Sequence, residues 1–113
     1  MVVGSLLYTA GQIAIDPESN VFQGHLDAAD QARLALANLR AVIEAAGATT
    51  SDVVKTTVFL TSMADFGAVN EVYAEFFGEH APARSAVAVA ELPLGARFEV
   101  EAVAVVRSRG ALE

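Results

Sequence analysis

The sequence predicts a single α+β domain with its elements in the order β-α-β-α-β-β. Three observations carry this. The chain has 113 residues, of which 54% are apolar and 19% charged, which fits one compact core and excludes disorder, collagen-like repeats and a two-domain arrangement. Two stretches repeat their apolar residues at the three-and-four spacing of a helix. The remaining apolar stretches are β-branched, alternate with period two, and are separated by short turn-like segments. For so short a chain the apolar fraction is high, because a small domain has too much surface relative to its volume to cover every apolar side chain alone. An oligomer is expected.

In chain order, Leu6 to Ile15 (LLYTAGQIAI) reads as a strand interrupted at Gly11 by a bulge or a close backbone approach, and Asp16-Pro17 closes it. Glu18 to Gly24 is a turn. From Leu26 to Ala46, the residues Ala32, Leu36, Leu39, Ile43 and Ala46 form one stripe along a long helix, ended by Gly47 in the C′ position. Asp52 to Thr61 is a strand with Val54, Thr56, Val58 and Leu60 on one side and Val53, Lys55, Thr57 and Phe59 on the other. Ser62 and Asp65 resemble a capping box before a second helix, whose apolar face is Phe66, Val69, Tyr73, Phe76 and Phe77 and whose stop is Gly78. Ala83 to Ala90 and Arg97 to Val106 read as two strands of an antiparallel hairpin around Leu92-Pro93-Leu94-Gly95. Alternation on the last strand places Phe98, Val100, Ala102, Ala104 and Val106 under the helices. Arg97, Glu99, Glu101, Val103 and Val105 lie on the other face, for which another subunit is the economical cover.

Charge narrows the function. Seven Lys plus Arg against fourteen Asp plus Glu give a net charge of -7, and no cationic run exceeds Arg107 and Arg109. Such a surface is a poor partner for polyanions, so no nucleic-acid partner is expected. The absence of cysteine excludes disulfides, thiolate metal sites and a Cys nucleophile. No apolar run is long enough to cross a bilayer and Met1 to Gly11 is not a signal peptide, so no membrane partner and a cytoplasmic location are expected. His25 and His80 read as solvated loop histidines without metal-ligand spacing. P-loop, GxGxxG and GxSxG patterns are all missing.

What remains is a set of polar residues on otherwise apolar elements. Arg84 sits near the start of a strand of Ala and Val, where its guanidinium fork calls for an anion such as a carboxylate. Spacing alone leaves open an arginine paired with an acidic neighbour or solvated at a strand end. Glu99 and Glu101 are either a solvent-facing edge or, if one is buried, a general base. In a simple hairpin Arg84 and Glu99 stand on the order of 13 to 15 Å apart, so they share a small ligand only across a subunit boundary or in another register. Asn70 breaks the aromatic side of the second helix, and Gly11-Gln12 interrupts the first strand.

The phrases TAGQIAIDP, ALANLRAVIEAAGAT, DVVKTTVFLTSMADFGAVNEVYAEFF and APARSAVAVAELPLGARFEVEAVAV, in that order, resemble the RidA (YjgF) family of reactive-intermediate deaminases from about Gly4 to Val106. The resemblance implies a chorismate-mutase-like fold, with a mixed sheet packed by two helices on one face, and a homotrimer with sites between subunits. It implies hydrolysis of 2-imino and enamine acids to 2-keto acids and ammonia, without metal or organic cofactor. By matching phrases, Arg84 corresponds to the carboxylate-binding arginine, Glu99 to the acid that positions or activates water, and Asn70 and Gly11 to positions lining the site. Two polar groups usual in the family are replaced by Ala10 and Ala86, and the family's N-terminal segment, with its site-lining tyrosine, is expected to be missing from 1–113; Tyr8 is not its equivalent. The alternative reading is a non-catalytic member that binds a small carboxylate as a regulator. Ribonuclease action, part of the family's naming history, is disfavoured by charge and by the want of a histidine pair. Chorismate mutase action would need more cations around a dicarboxylate than Arg84 alone, and a shared fold does not carry function.

Overall fold

The apolar stripe of the first helix and the aromatic stripe of the second both pack on one face of a five-stranded sheet in the computed structural model, which describes residues 1–106. Arg107 and Arg109 lie outside the described residues. The elements are β1 (Val2–Val3), β2 (Leu6–Tyr8), α1 (Ala28–Ala45), β3 (Val53–Leu60), α2 (Phe66–Phe77), β4 (Ala83–Ala88) and β5 (Phe98–Val105).

Helix α1 starts where the Asp27 carboxylate accepts the Asp30 N–H at 2.8 Å, and it ends at Gly47, whose φ of 89° a residue with a Cβ rarely adopts. The expected stripe is buried from Ala32 to Ile43 and widened by Ala28 and Ala35. Gln31 is fully buried on the same face. Its amide donates to the Leu26 carbonyl at 2.9 Å and its carbonyl accepts the Arg97 N–H at 3.0 Å, which ties α1 to the entry of β5 without an orphaned polar atom. Helix α2 buries Val69, Val72, Tyr73 and Phe77 and stops at Gly78. Ser62 Oγ accepts the Ala64 N–H at 3.2 Å and heads a 3₁₀ turn, Met63–Asp65, so the expected capping box with Asp65 does not form.

Strand order is β1-β2-β5-β3-β4, parallel between β3 and β4 and antiparallel elsewhere. This corrects the expected hairpin. β4 and β5 do not pair, because the β3-α2-β4 crossover lays β4 parallel along the outer edge of β3 while β5 takes the inner edge. A period-two pattern identifies both strands but holds no information about which strand each one joins. The turn over Pro93–Gly95 forms as expected and carries the chain across β3 rather than folding it back.

The N-terminal region also departs from expectation, since Leu6 to Ile15 is not one strand. β2 ends at Tyr8, and Gln12 and Ile15 form only isolated bridges, to Val100 and Phe22. Val2–Val3 adds a short strand, turned onto β2 through Gly4 at a φ of 61°, so the observed order is β-β-α-β-α-β-β. In β3 a bulge between Val53 and Lys55 leaves Val54 exposed and puts Val53 with Thr56, Val58 and Leu60 in the core. The alternation of β5 is as expected: Phe98, Val100, Ala102 and Ala104 are buried under the helices, with Val106 half-buried beyond them. Among the described residues no helix is long and apolar enough to cross a membrane.

Candidate functional site

Arg84 lies on the edge strand β4, paired in register with Thr56 of β3. Laterally paired residues point to the same face, and Thr56 is fully buried beneath the helices, so Arg84 projects on the helix side. There α2 meets it with three residues at helical spacing, Phe66, Asn70 and Tyr73. Arg84 Nη1 donates a short hydrogen bond to Asn70 Oδ1. Its Cζ stands 5.3 Å from the Phe66 ring centroid and 4.6 Å from that of Tyr73. The ion pair found among the described residues is Arg33 with Asp30, at 2.6 Å, so Arg84 has no carboxylate partner of its own there. Of the possibilities left open by spacing, pairing with an acidic neighbour is thereby set aside. A cavity of about 370 Å³ opens beside the guanidinium, lined by Asn70, Tyr73, Phe77, His80, Pro82 and Arg84.

Beneath the guanidinium, the Tyr73 hydroxyl and Thr56 Oγ1 are hydrogen-bonded at 2.7 Å inside the core. Burial raises the phenol pKa, against the opposing effects of the Thr56 bond and the Arg84 charge, so Tyr73 stays neutral and offers no rival anion. His80 corrects an expectation. It is half-buried rather than solvated, and its Nε2–H donates to the Val53 carbonyl at 2.7 Å, which anchors the segment between α2 and β4 to the start of β3. His25 is exposed, as expected.

Glu99 belongs to a second cluster. It pairs with Phe59 of β3, one of the residues on the open face of the sheet, away from the helices. Beside it the chain from β2 bulges outward. The Thr9 N–H donates to the Ala102 carbonyl at 3.0 Å and the Gln12 N–H to the Val100 carbonyl at 2.8 Å, so Ala10 and Gly11 together oppose Glu101 alone. The Glu99 carboxyl folds against Gly11: a Cβ there would overlap Glu99 Oε2 and sit 2.7 Å from Cδ. Gly11 is thus a close approach within a bulge. Asn38 of α1 braces the segment from behind, donating to the Ile15 carbonyl at 2.7 Å. Burial first and the neighbouring Glu101 second raise the Glu99 pKa.

The structure therefore brings Arg84 together with Asn70, and Glu99 together with Gly11, but does not bring the two pairs together within one chain. Arg84 and Glu99 lie three residues along and two strands across from each other, about 14 Å between backbones, and on opposite faces. Ala86 is packed on the Arg84 side and Ala10 lies exposed in the bulge, one methyl in each cluster. Phe66, Tyr73 and Thr56 were missed as site residues. Their signal was present in the four-and-three spacing of Phe66, Asn70 and Tyr73 and in a threonine at a core position of β3. Among the described residues no group of three His, Cys, Asp or Glu is placed to hold a metal ion.

Residues 1–106 match the family model described as endoribonuclease L-PSP. A RutC family protein of Pyrococcus horikoshii is 50% identical over 102 residues, covering 89% of this chain and 79% of that protein. The 2-iminobutanoate/2-iminopropanoate deaminase of Salmonella typhimurium is 46% identical over 108 residues, covering 93% of this chain and 83% of the enzyme. Among solved structures, Escherichia coli TdcF with bound serine superposes with a TM-score of 0.87 at 45% identity, covering 96% of this chain and 85% of that one. The Escherichia coli YjgF gene product gives 0.88 at 44% identity, with 95% and 85% covered. The fold, the ordered motifs and these likenesses agree, and the chain belongs to the endoribonuclease L-PSP family, that of RidA and YjgF.

Proposed function

We propose that this protein hydrolyses 2-imino acids, and the enamines that tautomerise to them, to 2-keto acids and ammonium. The observation that carries the reading is the Arg84 guanidinium, held in place at the mouth of a cavity by an amide and two rings while no acid among the described residues pairs with it. That arrangement suits a substrate carboxylate, which the fork can take through two parallel charge-assisted hydrogen bonds. A protonated imine carbon is already electrophilic, so the remaining work is to place a water and move its protons. Glu99 accepts one proton as the water oxygen bonds to the imine carbon, giving a carbinolamine, and passes that proton to its nitrogen. As the carbon–nitrogen bond breaks, the hydroxyl oxygen closes to the carbonyl and its remaining proton goes to the departing ammonia, so iminium and water become keto acid and ammonium with atoms and charge balanced. No step calls on a metal or an organic cofactor.

One chain cannot supply both groups, and we infer that the site forms between subunits of a homotrimer. Supporting this, Tyr8 and Val87 on the open sheet face are 46% and 43% exposed, large apolar residues around the Glu99 cluster that want a cover. Sedimentation equilibrium is expected to give three times the 11.8 kDa chain mass; a monomer at micromolar concentration contradicts the assembly. The endoribonuclease description fits less well, because a net charge of -7 opposes phosphate contacts and His80 is occupied by the Val53 carbonyl.

The activity is tested by generating 2-aminoacrylate in the presence of the protein and following pyruvate release. Acceleration over the buffer rate is expected; none, together with retained pyruvate binding, identifies a carboxylate-binding regulator instead. Gly11→Ala gives a local test. The new methyl meets the mobile end of Glu99, which swings away at little cost to the fold. Stability is expected within about 1 kcal/mol of the parent by urea unfolding, with kcat lowered at least about tenfold.

A further inference from the structure

We propose that Phe66 and Tyr73 are positioning residues that hold the Arg84 guanidinium in its binding orientation, doing with ring faces what a carboxylate partner does for most fixed arginines. This deepens the proposed function and rests on Arg84 as the carboxylate-binding group.

An arginine that must bind an anion faces a conflict. A flexible guanidinium loses rotational freedom when the ligand arrives, and an acidic partner that fixes it beforehand also neutralises it and competes with the ligand. The geometry avoids both. The Cζ lies 4.6 Å from the Tyr73 centroid and 5.3 Å from that of Phe66, both inside the range over which a ring face attracts a cation. Neither ring carries formal charge, and Asn70 contributes one neutral acceptor, which leaves the fork's other donors for a ligand. Tyr73 is itself fixed, being 8% exposed, bonded through its hydroxyl to fully buried Thr56, and packed 4.8 Å from the Phe77 ring. Phe66 opens α2 at the end of the 3₁₀ turn and is only half-buried, so it can be altered without opening the core.

Two readouts separate this proposal from the reading beneath it. The first needs no ligand: the Arg84 Nε–H order parameter, measured by NMR on the intact protein, is expected to be close to backbone rigidity in the parent, to fall clearly in Phe66→Leu, and to recover in Phe66→Tyr, which restores a ring. The second is calorimetric binding of pyruvate, expected to weaken about tenfold in Phe66→Leu and to be largely restored in Phe66→Tyr. Circular dichroism of both variants serves as the check of folding. An Arg84 signal equally ordered in Phe66→Leu, or pyruvate affinity unchanged by it, overturns the positioning role. A parent protein that holds Arg84 rigid yet binds no pyruvate leaves the ring cradle standing and overturns the carboxylate-binding role of Arg84.

Discussion

Arg84→Ala is expected to lower kcat/KM for imine hydrolysis by about 100- to 10,000-fold, most of it as a rise in KM. In the proposed complex two charge-assisted hydrogen bonds to the substrate carboxylate disappear together, each contributing about 1.5–3 kcal/mol. Arg84→Lys recovers little of this, because an ammonium has no planar fork to match a carboxylate and does not stack on the Phe66 and Tyr73 rings as a guanidinium does. The fold tolerates either change: Arg84 is exposed on the edge strand, and its direct side-chain hydrogen bond is to Asn70. Thermal unfolding within a few degrees of the parent, beside a collapsed kcat/KM, is the pattern that marks a ligand-binding arginine. Parent rates no better than those of Arg84→Ala contradict the deaminase assignment.

Glu99→Gln is expected to reduce kcat by about 100- to 10,000-fold while leaving KM for the carboxylate substrate nearly unchanged, since proton transfer is lost and the binding group is not. The pH dependence follows from the raised Glu99 pKa. In the proposed mechanism water activation needs the ionised form, so the acid limb of the kcat/KM profile is expected to sit above the usual glutamate range and to disappear in the variant's residual rate. Stability moves the other way. A carboxyl whose pKa is higher folded than unfolded costs stability when ionised; that cost is present above the folded pKa and is removed as pH falls toward the unfolded value. Glu99→Gln is therefore expected to be at least as stable as the parent near neutral pH, measured by urea unfolding. Loss of stability in that variant would mean that Glu99 serves the fold instead.

The legible and illegible parts of the molecule divide along physical lines. Both helices and the inward face of β5 were readable because burial on one side imprints a period directly on residue type: Leu36, Leu39 and Ile43 on α1, and Phe98, Val100 and Ala102 on β5. Strand partnership leaves no such imprint, and the turn at Pro93–Gly95 looks the same whether it closes a hairpin or carries the chain across β3. The bulge at Val54 was equally hidden, since one inserted residue shifts which side chains face inward while every residue type remains acceptable on a strand. Among the candidate site residues, Arg84, Glu99, Asn70 and Gly11 stand out in the sequence as residues that their surroundings do not call for. The aromatic support of Arg84 does not, because Phe66 and Tyr73 satisfy the core pattern of α2 and their second contact, with the guanidinium, adds nothing to the period. A simple hairpin implies nearly the same separation of Arg84 and Glu99 as the true register does, but only the true register places them on opposite faces.

That opposition makes the central claim directly testable. Arg84→Ala and Glu99→Gln chains, each inactive alone, are to be unfolded, mixed in equal amounts and refolded together, and the imine hydrolysis rate compared with that of parent protein treated in the same way. If every site takes Arg84 from one subunit and Glu99 from its neighbour, random trimers contain about one intact site in four, and about a quarter of the parent rate returns. If both groups act within one chain, no mixed assembly contains an intact site and the rate stays at the level of the separate variants.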